Sequence, residues 1–222
     1  MNIQYKRKPE NEEMMAAYDF FKSHKYHIMG ILATIALIII GVNLYKSSSE
    51  KNKIVSADKL FEIATLYGEM KDSLVISKGN EYIDKYSGYD STGDIVIYVA
   101  RSYIRTKKND EALKMLESNQ RITKNETLRF AFYNILGGLY MDKWMAEKKP
   151  ELAEKAGDYY AKAAKSDREL LKDRALYDAG NSYAQAGKTD KAKNVLKPLY
   201  DRSRELEYKL REQVKYLYES LD

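Results

Sequence analysis

The sequence predicts an all-α protein: one N-terminal transmembrane helix, then an α-solenoid of about four helical hairpins and a C-terminal capping helix. Three observations predict it. Residues 28–45, IMGILATIALIIIGVNLY, fall within a 20-residue interval between Lys25 and Lys46 that holds no ionised side chain. At about 1.5 Å per residue a helix of that length crosses a hydrocarbon core of about 30 Å. Beyond residue 54 the apolar residues recur at helical spacing in paired blocks, and only 3 prolines and 11 glycines interrupt the chain, which disfavours a turn-rich β sandwich. Finally, the same residue classes return at the same offsets along the second half.

Residues 1–27 read as a short polar tail. Its first part is charged and read as disordered. From Glu12 the spacing of Met14, Met15, Tyr18 and Phe21 suits an amphipathic helix at a membrane interface, with Tyr18, Phe20, Phe21 and Tyr26 as an aromatic belt. His24 and His27 are three apart, but no carboxylate or cysteine cluster accompanies them, so they read as interfacial residues and no metal site is expected.

The apolar segment reads as an uncleaved anchor. A cleaved signal peptide is the first alternative, although such apolar cores run about 7–15 residues and here only SerSerSer offers a cleavage site. A buried helix of a soluble protein is the second. Five Lys/Arg precede the segment and four follow within 20 residues, a slight bias that, with the short tail, predicts the N-terminus in the cytoplasm and the large domain outside. Gly30, Ala33, Thr34 and Gly41 share one side of the helix, where another membrane helix can approach closely.

Residues 46–53, KSSSEKNK, read as a polar linker, and residues 54–222 as the folded domain. Only IVIYV at 95–99 resembles a strand, and it runs directly into ARSYIRT at helical spacing, so a helix is expected there. Two hairpins then share one template. Val96, Val99, Ala100 and Tyr103 precede Ala112 and Leu116, as Leu176, Ala179, Gly180 and Tyr183 precede Ala192 and Leu196, with 12 residues from Ala100 to Ala112 and from Gly180 to Ala192. A third copy holds Tyr133, Leu136, Gly137 and Tyr140, then Ala156, Tyr160 and Ala163. Its 19-residue interval from Gly137 to Ala156 implies helices about a turn longer, the second opened by Pro150. A degenerate first copy fits Leu60, Ile63, Ala64 and Tyr67 with Ile76 and Ile83.

This pattern resembles the tetratricopeptide repeat, whose first helix reads W, two residues, LG, two residues, Y, and whose second carries A, three residues, F. The clear copies span about residues 93–203, and residues 205–221 read as the capping helix. The whole plan of short tail, one anchor, linker and about four repeats resembles the YfgM family. That resemblance implies a single-pass bacterial inner-membrane protein with its repeats in the periplasm, beside the SecYEG translocon. It implies a PpiD-like periplasmic chaperone and unfolded client chains as partners.

The remaining chemistry is sparse. Cysteine is absent, which rules out disulfides and thiolate metal sites. The net charge of +5 comes from 38 basic and 33 acidic residues interspersed without long blocks, a solvated mixed surface with no nucleic-acid partner expected. The only two histidines lie in or beside the anchor, and Gly137–Gly138 lacks the lysine and hydroxyl context of a phosphate loop. No enzyme activity and no cofactor are expected. Function is therefore sought on a surface. The repeat template puts Tyr98, Arg101, Arg105, Asn134, Met141, Arg174, Tyr177 and Asn181 on a groove, an Arg/Tyr/Asn composition suited to peptides. Capture of a terminal carboxylate finds only Asn181 in its expected place. Of the 20 tyrosines, those off the template, such as Tyr86, Tyr89, Tyr208, Tyr216 and Tyr218, are further candidates for contact. The expected function is a membrane-tethered interaction module at the Sec translocon. The alternative is a structural scaffold subunit of another envelope complex, for cell division, secretion or cytochrome maturation.

Overall fold

The computed structural model describes residues 9–89, 91–165 and 169–221, and among these the chain is all-helical, with no strand. The chain divides into two compact units, Met1–Val55 and Ser56–Asp222. Helix α1, Pro9–Gly68, enters both. The expected linker at 46–53 is helical. No glycine or proline stands between Gly41 and Gly68 to stop a helix that is already propagating, and each further residue adds a hydrogen bond.

Within the first unit, no single helix among the described residues is long and apolar enough to cross a membrane. Met14–His27 and Met29–Asn43 satisfy that requirement only together, across a bend of 51°. The straight apolar leg is 15 residues, about 22 Å, and so shorter than the span expected for residues 28–45. The start of the tail, 1–8, lies outside the described residues.

In the second unit, the C-terminal part of α1 pairs with α2 (Asp72–Tyr86), α3 (Thr92–Arg105) with α4 (Asn109–Ser118), α5 (Glu126–Glu147) with α6 (Pro150–Ala163), and α7 (Glu169–Gln185) with α8 (Thr189–Asp201). Helix α9, Tyr208–Glu219, packs on α8 within the interval expected for a cap. The IVIYV run is helical because Ile95, Val96 and Val99 are fully buried on several sides of α3, and burial outweighs the modest strand preference of β-branched residues. At 22 residues α5 is longer than α3 or α7, as the interval from Gly137 to Ala156 implies, and Pro150 opens α6; α6 itself, at 14 residues, is a turn longer than α4 but not than the 13-residue α8, so most of the extra length lies in α5. Ile63, Val75, Leu116, Phe132 and Leu136 form the fully buried centre, continued by Leu199 and Val214 under α9.

Each hairpin turns on one left-handed residue: Met70, Lys107, Lys148 and Gly187 have φ of 58°, 60°, 56° and 69°. At Lys107 the following Lys108 N–H donates to Tyr103 O (2.8 Å) and Lys107 N–H to Ile104 O (2.9 Å), a pair repeated at Met70 and Gly187. Lys148 uses the simpler bond, its N–H donating to Trp144 O. Glycine fills only one of the four positions, and a side chain there costs about 1 kcal/mol. Replacing Lys107 by glycine is therefore expected to stabilise the protein by about 0.5 kcal/mol after the entropy that glycine adds to the unfolded chain. Gly187→Ala should destabilise it by about 1 kcal/mol. Urea midpoints that move the other way would contradict this account of the turns.

The hairpins are also tied to one another by tyrosines. Tyr103 Oη accepts from Asn80 Nδ2 on α2 (3.0 Å), Tyr140 Oη donates to Glu117 on α4 (2.5 Å), and Tyr183 Oη donates to Asp158 on α6 (2.8 Å). Each template tyrosine thus reaches back to the outer helix of the preceding pair. Burial, and then the facing carboxylate, raise the Tyr140 and Tyr183 phenols well above their usual range, so both stay protonated donors.

Candidate protein-interaction face

Helices α3, α5, α7 and α9 touch in that order, so the first helices of successive hairpins form one row. The eight groove residues expected from sequence lie on the first three. The structure divides them by what already holds them.

Arg105 is engaged within the fold. Its guanidinium bonds Asp72 Oδ1 at the start of α2 (2.6 and 2.8 Å), lies 4.0 Å over the Tyr67 ring and donates to Tyr67 O. Tyr98 packs on the same Tyr67 ring at 4.8 Å between centroids. These two residues therefore clamp α3 to the first hairpin, whereas Arg101, one turn away, is exposed and has no side-chain partner among the described residues. Met141 is half-buried against the main core.

On α7, Arg174 pairs with Asp178 (3.3 Å) and reaches Gln213 of α9 (3.4 Å), while Tyr177 packs into the cluster under α9. Burial raises the Asp178 carboxyl against the opposing pull of Arg174, and burial also raises Tyr177. The cation on α7 is thus partly neutralised before any ligand arrives. Asn134 on α5 and Asn181 on α7 differ from the rest. Both are half-buried, and neither side chain has a hydrogen-bond partner among the described residues.

The sequence template treats Tyr160 as packing alone, and the structure gives it a second aspect. A Cβ at Gly137 would meet the Tyr160 ring at 2.7 Å, so only glycine lets this ring from α6 lie so close to α5. The phenol ends beside Gly138, 3.7 Å from where a Cβ would stand there. Burial raises it to about 12, and the charges of Asp178 and Arg174 on α7 also act on it. The hydroxyl ends at α5, the residue packs against the cluster holding Ala179 and Tyr183 of α7, and the phenol stays neutral with no hydrogen-bond partner among the described residues. The paired glycines at 137 and 138, opposite a tyrosine, were the sequence signal.

Gly30, Ala33, Thr34 and Gly41, the residues expected from sequence to meet another membrane helix, are all exposed, and nothing lies within 4 Å of a Cβ at either glycine. Thr34 Oγ1 donates to Gly30 O within its own helix (2.9 Å). His24 stacks on Phe20 at 4.5 Å and bonds Ser23, and no group of three metal-ligating side chains occurs among the described residues. Of the tyrosines off the template, Tyr208 and Tyr216 are exposed, Tyr86 meets Tyr82 at a tilt and Tyr89 edge-on, and Tyr218 stacks on Tyr200 at 4.4 Å. No family model matches the chain, and no curated protein or solved structure matches it.

Proposed function

We propose that this protein is a membrane-tethered interaction module, in which the apolar N-terminal helix is the tether and the row of α3, α5 and α7, read as a tetratricopeptide-repeat-like solenoid, binds protein segments without transforming them. The observation that carries this reading is the state of the first unit's apolar side chains. Ile31, Leu37, Ile38, Ile39, Ile40 and Val42 are each 46–69% exposed. Leaving such side chains in water forgoes about 1.5–3 kcal/mol apiece, and a bilayer removes that cost. The second unit supports the binding half of the reading, because its row of helices offers neutral polar groups that the fold leaves unused.

Following its resemblance to the YfgM family, the proposed setting is a bacterial inner membrane beside SecYEG, with the N-terminus cytoplasmic. A PpiD-like chaperone and emerging client chains are the proposed partners. The tether would raise the local concentration of the binding face for chains leaving the channel. Gentle-detergent affinity purification of the full-length protein, beside a version lacking residues 1–45, tests this. Translocon subunits and a periplasmic isomerase are expected with the full-length form and depleted from the truncated one. Recovery of a different envelope complex alone would replace the translocon reading with that of a scaffold subunit.

A further inference from the structure

We propose that a cleft between two successive hairpin connections binds a small organic acid, its carboxylate on Arg121 and its apolar stem against Ile122 and Leu128. The site arises from a local departure from the repeat. Seven residues, 119–125, join α4 to α5, against five at 87–91 and five at 164–168. The longer connection folds as the 3-10 turn Gln120–Lys124 and faces the 87–91 connection across a cleft of about 390 Å³. Both walls are fixed by the fold. Ile122 N–H donates to Asn119 O (3.2 Å) and Asn125 N–H to Ile122 O (3.1 Å). Opposite them, Thr92 N–H donates to Tyr89 O (3.0 Å) and Thr92 Oγ1 to Tyr86 O (2.7 Å). The floor is apolar and close: a Cβ at Gly93 would stand 2.3 Å from Leu128 Cδ1 and 3.5 Å from Ile122 Cβ, so glycine lets both side chains lie against the start of α3.

The chemistry of the lining selects the occupant. Arg105, Arg174 and Arg202 are each engaged by a carboxylate of the fold, whereas Arg121, exposed at the cleft, has no partner among the described residues. The Ser87 and Tyr89 hydroxyls on the opposite wall are also without partners among the described residues. A guanidinium fork matches the two oxygens of a carboxylate, and hydroxyl donors can take the lone pairs that remain. Arg121 is the one charged side chain among the described residues of the lining, which suits a monoanion better than a phosphate dianion. An exposed ion pair alone holds little, so the ligand also needs an apolar stem to lay on Ile122 and Leu128.

The test uses the full chain in mild detergent and saturation-transfer NMR of benzoate, with benzamide as the uncharged analogue of the same shape, inorganic phosphate as a competitor and detergent alone as the background. Benzoate should bind with a dissociation constant of about 1 mM or below, and benzamide at least about tenfold more weakly. Arg121→Gln should weaken benzoate at least about tenfold, and Tyr89→Phe, which keeps the ring and removes only the hydroxyl, about threefold. Neither variant should shift the thermal transition, because the groups removed hold nothing else in the fold. A benzoate signal no greater than that of detergent alone overturns the proposal, as does a signal that Arg121→Gln leaves unchanged. Displacement of benzoate by an equal concentration of phosphate overturns the assignment to monocarboxylates. All these outcomes leave the reading of the α3, α5 and α7 row untouched, because neither variant alters a residue proposed for that face.

Discussion

Gly180→Ala is expected to destabilise the second unit by about 2–3 kcal/mol, although it adds a single methyl group to a helix and would improve helix propensity by about 1 kcal/mol on its own. The methyl would stand 2.4 Å from Leu196 Cγ and 2.6 and 2.9 Å from its two δ carbons. Leu196 is fully buried on α8 and one turn from fully buried Ala192, so it has no free volume into which to retreat. Either α8 moves off α7 or the leucine leaves its rotamer. Leu196→Ala alone removes the obstacle and leaves a cavity, at a cost of about 2–5 kcal/mol. In the double variant the added methyl occupies part of that cavity. Its loss should therefore fall short of the sum of the two single losses by at least about 1 kcal/mol. Urea denaturation of the four proteins gives this cycle directly. Additivity within about 0.5 kcal/mol would show that Gly180 and Leu196 do not share the space assigned to them.

That pair also shows what a sequence can carry. Small residues at Ala100, Gly137 and Gly180 are visible at one template position, and the close approach they permit follows from residue size. The partner across the gap is a different matter: Gly180 meets a leucine and Gly137 meets a tyrosine, and only the second leaves a hydroxyl between helices. Pro150 announces the start of α6 through its fixed φ, and the structure agrees. Helix periodicity at residues 95–105 was strong enough to outvote the β-branched IVIYV run. What escaped was of two kinds. Left-handed turns at Met70, Lys107 and Lys148 carry no glycine to mark them, because the bond pattern of the turn is worth more than the local strain. Contacts between distant residues escaped as well. Arg105 looked like a groove cation because nothing in its neighbourhood in sequence shows that Asp72, 33 residues earlier, neutralises it. The helical course of 46–53 was masked by its polarity, since solvated helices and linkers share the same composition.

Removing Arg202 should be a damaging loss of a single charged group, because its partner Asp173 is the one buried charged residue among the described residues. Asp173 on α7 is only 5% exposed, and the Arg202 guanidinium, just beyond the end of α8, hydrogen-bonds its carboxylate across 29 residues of sequence. Arg202→Ala would leave a buried carboxylate without this partner, and breaking a buried pair in this way costs about 3–5 kcal/mol. The pair itself need not be strongly stabilising, because bringing both charges out of water offsets most of their attraction. The double replacement Asp173→Leu with Arg202→Met removes both charges and keeps comparable bulk. It should therefore recover to within about 1 kcal/mol of the parent, well above either single variant. Thermal and urea unfolding of Arg202→Ala, of Asp173→Leu alone and of the double variant decide between two roles for the pair. Recovery in the double variant identifies it as a mutual neutralisation required by burial. A double variant as unstable as Arg202→Ala would mean that the hydrogen-bond geometry joining α7 to the end of α8 itself holds the last hairpin in place, and the stack would then depend on a polar contact that its apolar periodicity does not predict.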